Sequence, residues 1–376
     1  MVLGLKIICV MGTRPEVIKM APVVKALRMR GIEAPILATA QHRGLLDQML
    51  ATFGLSPEWD LDVMRPSQEL ATLTGELVPR LHQIFKETQP DAVLSQGDTT
   101  TVFCSALAAF YAGIPFGHVE AGLRSGSLAA PFPEEGMRRL TAVTARWHFA
   151  PTETSAQCLR RESHSEETIH VVGNTVIDAL LTVAASEGLP WPEQVRPLAN
   201  GERLVLITLH RRENFGAPLE RILTSLRGFA LAHPEARLVY PVHPNPNVKG
   251  PAQRVLGDLN NVDLVEPLDY PVLVRLMKEA YLVFTDSGGI QEEAPALGKP
   301  VIVFRDITER PEAVDAGGVH LVGSDPDLFE RFADRLWMDS AAYSAMAQPR
   351  FPYGDGQSSK RIVDILTQDL VPSEQV

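Results

Sequence analysis

KIICVMGTRPEVIKMAPVVKALRMRGIEAPILA, residues 6–38, decides the fold class. Lys6–Met11 is a short, nearly continuous apolar run that reads as a buried strand. Gly12-Thr13-Arg14-Pro15-Glu16 reads as a turn, Val17–Arg30 as a helix closed by Gly31, and Ala34–Ala38 as a second strand. Strand, turn, helix and strand in this order, with apolar strands, describe a parallel sheet covered on both faces. The rhythm recurs at Ala92–Ser95, Thr99–Tyr111, Phe116–Val119 and Trp147–Ala150. It breaks at Gly188–Gly201, where Pro190, Pro192 and Pro197 interrupt any regular element. Beyond that break it restarts with Leu204–Thr208, a helix Leu219–His233, then Arg237–Val242, Val262–Val265, Tyr281–Thr285 and Pro300–Phe304. Two segments echo one another: AVLSQGDT from Ala92 and LVFTDSGG from Leu282, each followed by a helix, a Gly-x-Pro break and a strand. The expectation is two similar doubly wound α/β domains whose strand carboxyl ends face a shared cleft, where open α/β sheets place ligands.

Composition agrees with that reading. The 376 residues suggest two or three domains at about 150 residues each. A content of 45% hydrophobic and 22% charged residues is that of a soluble globular chain. Lys and Arg total 35 against 46 Asp and Glu, a net charge of −11, which argues against a general nucleic-acid binder while permitting a local basic pocket for one anionic ligand. The three cysteines, Cys9, Cys104 and Cys158, form neither a disulfide framework nor a zinc cluster. No apolar run is long enough for a signal peptide or membrane span. The expectation is a cytoplasmic protein without a metal or other cofactor.

The chemistry-bearing residues sit at predicted strand ends. In Thr285-Asp286-Ser287-Gly288-Gly289-Ile290, Ser287 suits a helix N-cap and two glycines allow close backbone approach, so the free N–H groups make an anion site fit for a diphosphate. Glu293 lies further along the same helix, where a carboxylate can accept both ribose hydroxyls. The stretch is neither a Walker A loop nor a GxGxxG fingerprint. Arg14 and Lys19 offer a guanidinium fork and a point charge to phosphate oxygens. His210-Arg211-Arg212-Glu213-Asn214 follows a strand in the equivalent position of the second domain, and Arg310 adds a further cation. A buried, satisfied histidine competes with a ligand role for His210. The first domain contributes carboxylates: Asp98 capping a turn, Glu120 ending a strand, and Glu134 and Glu135 in a proline-flanked loop. An acid at a buried strand end is costly unless paired or used. Cations and helix N–H groups on one wall and acids on the other suit a phosphorylated leaving group and proton movement.

These motifs carry a resemblance. MGTRPEVIKMA (11–21), GDTTT (97–101), VEAGLR (119–124), FPEE (132–135), GNTVID (173–178), HRREN (210–214), TDSGGIQEEAP (285–295), TERPE (308–312) and YGDG (353–356) occur in order over nearly the whole chain. The chain resembles the non-hydrolysing UDP-N-acetylglucosamine 2-epimerases of bacteria. The resemblance implies a GT-B fold, with residues 1–172 plus 356–376 forming a Rossmann-like sugar-side domain that includes a returning C-terminal helix, and residues 173–355 forming the UDP-binding domain. It implies epimerisation at carbon 2 without metal or nicotinamide, hinge closure near Gly173 and Tyr353–Gly356, a homodimer and a supply role in cell-surface polysaccharide synthesis. Arg14, His210, Ser287, Gly288, Gly289, Glu293 and Arg310 match positions that hold UDP; Lys19, Asp98, Glu120 and Glu134 match positions that act on the sugar.

Departures are present. Gln96 stands where a histidine is frequent, Met137 where an asparagine is expected, and Leu209 where the family keeps a small residue. Gln41, Glu135, Arg211 and His243 match a second, activating substrate site, but Gly44 and Ser67 stand where another glutamine and an arginine belong. The rival readings are a retaining GT-B glycosyltransferase using a UDP-sugar, a hydrolysing epimerase, and a non-catalytic nucleotide-sugar sensor. Three sugar-facing acids weigh against the transferase and the sensor.

Overall fold

The computed structural model describes residues 4–39, 43–63, 65 and 68–371. It divides into two compact units, Met1–Ala179 with Tyr353–Val376, and Leu180–Pro352. Among the described residues no helix is long and apolar enough to cross a membrane.

The first unit alternates β1 (Ile7–Met11), α1 (Arg14–Met29), β2 (Ile36–Ala38), α2 (Arg43–Thr52), β3 (Trp59–Asp60), α3 (Leu70–Thr88), β4 (Ala92–Gln96), α4 (Thr100–Ala112), β5 (Phe116–Val119), α5 (Glu134–Thr144), β6 (Trp147–Ala150), α6 (Glu153–Arg161) and β7 (Ile169–Val171). Its seven strands run in the order β3-β2-β1-β4-β5-β6-β7, all parallel. The register sets Cys9 opposite both Ile36 and Leu94, and Leu94 opposite Gly117. β1 is buried along its whole length because helices cover both faces, which is why its sequence lacks alternation. α1 begins at Thr13, whose side chain accepts from the Glu16 N–H while Glu16 reaches back, and it buries Val17, Met20, Val24 and Leu27 at helical spacing.

α7 (Thr175–Ala184) spans the division between units, so the first boundary falls inside a helix, seven residues beyond the start at Gly173 expected from sequence. Gly173, at φ +94°, packs so close to Gly354 that an added Cβ would lie 3.1 Å from its Cα, and the Asn174 N–H donates to the Tyr353 carbonyl at 2.5 Å. Two motifs 180 residues apart in the chain therefore meet within the first unit.

The second unit comprises β8 (Arg203–Thr208), α8 (Ala217–Ala232), β9 (Ala236–Pro241), α9 (Pro246–Leu256), β10 (Val262–Val265), α10 (Tyr270–Glu279), β11 (Leu282–Thr285), α11 (Gly288–Ala296), β12 (Val301–Val303), α12 (Pro311–Asp315), β13 (Val319–Leu321), α13 (Pro326–Met338) and α14 (Ser340–Met346). The strand order is β10-β9-β8-β11-β12-β13, again all parallel. Its core gathers Leu223, Leu226, Phe229, Tyr240, Phe284, Phe304, Phe329 and Trp337. α15 (Ser358–Leu370) returns to the first unit, where the Ser358 and Ser359 N–H groups donate to Asp178 and Trp147 Nε1 donates to Asp369 at 2.7 Å.

The two echoing segments occupy equivalent places: β4 lies beside β1, and β11 beside β8, each at the point where strand order reverses. Chain turns leaving the carboxyl ends of β1, β4, β8 and β11 are the positions at which doubly wound sheets bind ligands.

Candidate active site

In the first unit three loops bring acids and cations together. Glu120 follows β5 with φ +63°, a conformation that favours glycine and signals a side chain held for a purpose. It is only 9% exposed. Lys19, one turn into α1, pairs with its Oε1, Gln96 at the end of β4 donates to Oε2, and Asn174 Nδ2 donates to Oε1 at 3.0 Å. Gln96 thus serves the acid directly. Asp98 lies in the turn after β4, and the next residue, Thr99, is the N-cap of α4, its hydroxyl accepting from the Val102 N–H. Asp98 instead accepts from Arg138 at 2.9 Å and 2.7 Å.

Glu134 and Glu135 follow the proline-flanked loop as the first-turn acids of α5. Glu135 is fully enclosed, accepting from the Ser125 N–H at 3.0 Å, Arg138 at 3.2 Å and Arg139 at 2.9 Å. Burial raises the Glu135 carboxyl, but the Ser125 N–H and the two arginines outweigh it and leave it below the usual carboxylate range. Its oxygens face protein donors, so in this structure it anchors Arg138 beside Asp98. Glu134 Oε2 is shielded from solvent and takes no hydrogen bond within the protein. Arg14 begins α1 and is half-buried.

Beneath these groups lies Glu16, which is 2% exposed. Burial pushes its carboxyl up to about 7 against the opposing pull of hydrogen bonds from Thr99, Gly12 and Thr13. His118 on β5 places Nε2 2.7 Å from the Gly97 carbonyl, and burial lowers it to about 4. Its neighbour on β6, His148, is lowered to about 3, again mainly by burial. Both are enclosed, whereas the His210 side chain is 40% exposed.

In the second unit the organising residue is Asp286, fully buried at the end of β11. It accepts from the His210 N–H at 3.0 Å, the Arg211 N–H at 3.0 Å and Asn214 Nδ2 at 3.0 Å, and so shapes the 209–214 turn. The His210 Nδ1 lies 3.6 Å from Asp286. Burial lowers His210 below the ordinary histidine range; Asp286 opposes that, while Arg211 and His243 reinforce it. The His243 ring, on an exposed residue, stacks with His210 at 6.2 Å.

Ser287 occupies the N-cap of α11 without its side chain capping the helix, so the first N–H groups of α11 remain available to an anion. Two guanidiniums overhang this end. A Cβ added to Gly288 would lie 2.7 Å from Arg310 Nη1 and 3.2 Å from Arg211 Nη2, so a side chain there would push the guanidiniums off the helix end. Gly289 faces nearly open space. Arg310 is held by Glu292 at 2.6 Å. Glu293, 6% exposed, accepts from the Tyr270 hydroxyl at 2.6 Å.

Sequence reasoning did not single out Asp286, Tyr270, Asn174, Arg138 or Glu16 as working residues. Asp286, Asn174 and Glu16 lie inside motifs that were quoted, and for Asp286 acid at a strand end was the signal available; the contacts of Asn174 to Glu120, Glu16 to Thr99, Arg138 to Asp98 and Tyr270 to Glu293 cross sequence separations that no local pattern encodes. Gln41 lies outside the described residues.

A sequence model for UDP-N-acetylglucosamine 2-epimerase matches residues 25–367. The chain belongs to this family. It is 49% identical to the UDP-N-acetylglucosamine 2-epimerase of Yersinia pestis, over 98% of this chain and 100% of that one. It is 45% identical to the Bacillus subtilis enzyme of the same name, over 96% and 95% of the two chains. Among solved structures, the UDP-GlcNAc 2-epimerase of Neisseria meningitidis bound to UDP-GlcNAc superposes with a TM-score of 0.86 at 43% identity, covering 97% of this chain and 100% of that one. The glycosyltransferase SnogD of Streptomyces nogalater, at 18% identity and a TM-score of 0.62, shares the fold alone. Each unit is thus a Rossmann-like half of the GT-B architecture, and the family is one of isomerases. Of the departures from its pattern, Leu209 is buried with its carbonyl accepting from the Tyr240 hydroxyl at 3.1 Å.

Proposed function

We propose that the chain interconverts UDP-N-acetylglucosamine and UDP-N-acetylmannosamine by eliminating UDP across carbons 1 and 2 and adding it back. A base removes the carbon-2 hydrogen as the carbon-1 oxygen bond breaks, leaving enzyme-bound 2-acetamidoglucal and UDP. Protonation of carbon 2 from the opposite face and re-formation of the carbon-1 bond complete the exchange. The observation that carries this reading is full-length kinship with epimerases at 45–49% identity.

The chemistry supports it. Departure of a diphosphate needs donors that strengthen as charge develops, and the α11 N–H groups, Arg310 and His210 are of that kind. Asp98, Glu120 and Glu134 supply the carboxyl groups for proton transfer, worth about 10²–10⁴-fold in rate when positioned. Lys19, Gln96 and Asn174 orient Glu120, and Arg138 orients Asp98, while Glu134 retains an oxygen without a protein partner. We infer that Arg14 joins the diphosphate, that the reaction draws on residues of both units, and that the chain acts in the cytoplasm to supply polysaccharide synthesis. We also infer a homodimer, supported by Phe110 and Tyr111 of α4 and Leu140 and Val143 of α5, all more than half exposed on packed neighbouring helices; light scattering showing a monomer at micromolar concentration refutes it.

Incubation with UDP-N-acetylglucosamine in deuterated water tests the reaction. Deuterium at carbon 2 of recovered nucleotide sugar is expected. Free N-acetylmannosamine assigns the chain to hydrolysis, and transfer to an acceptor without exchange assigns it to the glycosyltransferases.

A further inference from the structure

A capping-box glutamate ordinarily does one local task, reaching back to the N–H of its own N-cap, and it does so from an exposed first turn. Glu16 differs in two respects. It is 2% exposed, and its carboxylate serves two helices. Oε2 accepts from the Gly12 N–H at 2.5 Å and the Thr13 N–H at 3.2 Å, closing the turn between β1 and α1. Oε1 accepts from the Thr99 hydroxyl at 2.7 Å, and Thr99 is the N-cap of α4, in the turn that follows β4. Beside this junction the Thr39 and Thr101 hydroxyls bond each other at 2.8 Å, and a Cβ on Gly12 would collide with both. The two turns therefore abut with no slack.

The residues carried by the two turns are those assigned to chemistry. Arg14 and Lys19 ride on α1, two residues before and three after Glu16, and Asp98 immediately precedes Thr99. We infer that Glu16 is a positioning residue for the epimerisation: its carboxylate ties the α1 turn to the α4 turn and so holds Arg14 and Lys19 in register with Asp98. Glu16 touches neither substrate nor a reacting atom in this role. The inference rests on the function proposed above, because it gives Arg14, Lys19 and Asp98 their reason to be held together.

The test compares Glu16→Gln, Glu16→Ala and Thr99→Val with the wild-type chain. Glutamine keeps the shape; its amide oxygen accepts from the Gly12 and Thr13 N–H groups and its NH₂ donates to Thr99 Oγ, reversing one bond. Its kcat is expected within about threefold of wild type. Alanine removes all three bonds, and displacement of reacting groups by about 1 Å costs on the order of 10²-fold, so kcat is expected to fall 30- to 100-fold with KM and UDP affinity within about threefold. Thr99→Val severs the link between turns together with the α4 cap bond from the Val102 N–H, and is expected to lower kcat three- to tenfold. A purely structural glutamate would lower the melting temperature while leaving kcat per folded molecule intact, and that result overturns the inference. A Glu16→Gln variant as impaired as Glu16→Ala also overturns it, since the carboxylate would then be acting chemically. If Glu16→Ala does not fold, unchanged kcat in Thr99→Val is the refuting outcome. Hydrogen exchange at the Gly12 and Thr13 amides, protected in wild type and Glu16→Gln and lost in Glu16→Ala, reads the clasp without activity. A wild-type chain that shows no carbon-2 exchange but keeps this protection sinks the proposed reaction and not the clasp.

Discussion

Replacing Asp286 by asparagine probes how the second unit builds its anion site. The carboxylate is fully buried and accepts from the His210 N–H, the Arg211 N–H and the Asn214 amide, each at 3.0 Å. Asparagine has one acceptor oxygen, and its NH₂ group must face at least one of these donors. Hydrogen bonds to a charged acceptor contribute about 1.5–3 kcal/mol, and a buried donor left unsatisfied costs about 1–3 kcal/mol. The expected loss is therefore about 2–4 kcal/mol, which lowers the melting temperature of the second unit by roughly 5–15 °C. Because Asp286 is the group that raises His210 against the effect of burial, the His210 pKa is expected to fall further in the variant. Loss of the 209–214 turn geometry is also expected to weaken UDP binding about tenfold. Scanning calorimetry, histidine NMR titration and UDP titration calorimetry measure the three effects. A variant that melts within about 1 °C of wild type, binds UDP equally well and leaves His210 untouched refutes the assignment of Asp286 as the keystone of this turn.

Asp98→Asn, Glu120→Gln and Glu134→Gln are each expected to lower turnover by at least ~10²-fold with folding retained, and normal carbon-2 exchange in any one of them removes that residue from the proton-transfer set. Arg14→Ala is expected to lower turnover at saturation more than it weakens UDP affinity, since the contacts on the second unit persist; a ~10³-fold loss of affinity with normal turnover makes Arg14 a ground-state ligand instead. Acid sensitivity of the first unit traces to His118 and His148, lowered by burial to about 4 and about 3. The unfolded chain binds protons at these positions from about pH 6.5 downward, so their contribution is whole above pH 6.5 and is lost as pH falls towards 4, at about 1.4 kcal/mol per pH unit for each. His118→Gln is expected to flatten the urea-unfolding free energy against pH over that range, and an unchanged slope contradicts the assignment.

The residues at the ends of β1, β4, β8 and β11 were legible in the chain because strand, turn and helix starts are local: apolar runs, the 12–16 turn, Ser287 at an N-cap position, and glycines where a ligand can approach the backbone. The same locality made the echo between residues 92 and 282 readable, and the parallel sheets turn it into equivalent positions beside β1 and β8. What could not be read is which side chains answer one another. Lys19 meets Glu120, Thr99 meets Glu16, Tyr270 meets Glu293 and the 209–214 turn closes on Asp286, over separations of 23 to 101 residues. Those pairings depend on strand order and register, which bring distant turns side by side, and no single turn encodes its neighbour. The side chain of Glu16 shows the difference: the sequence places it in a turn, and only the pairing of β1 with β4 sets the turn before α4 against it, encloses its carboxylate and gives it a second helix to hold.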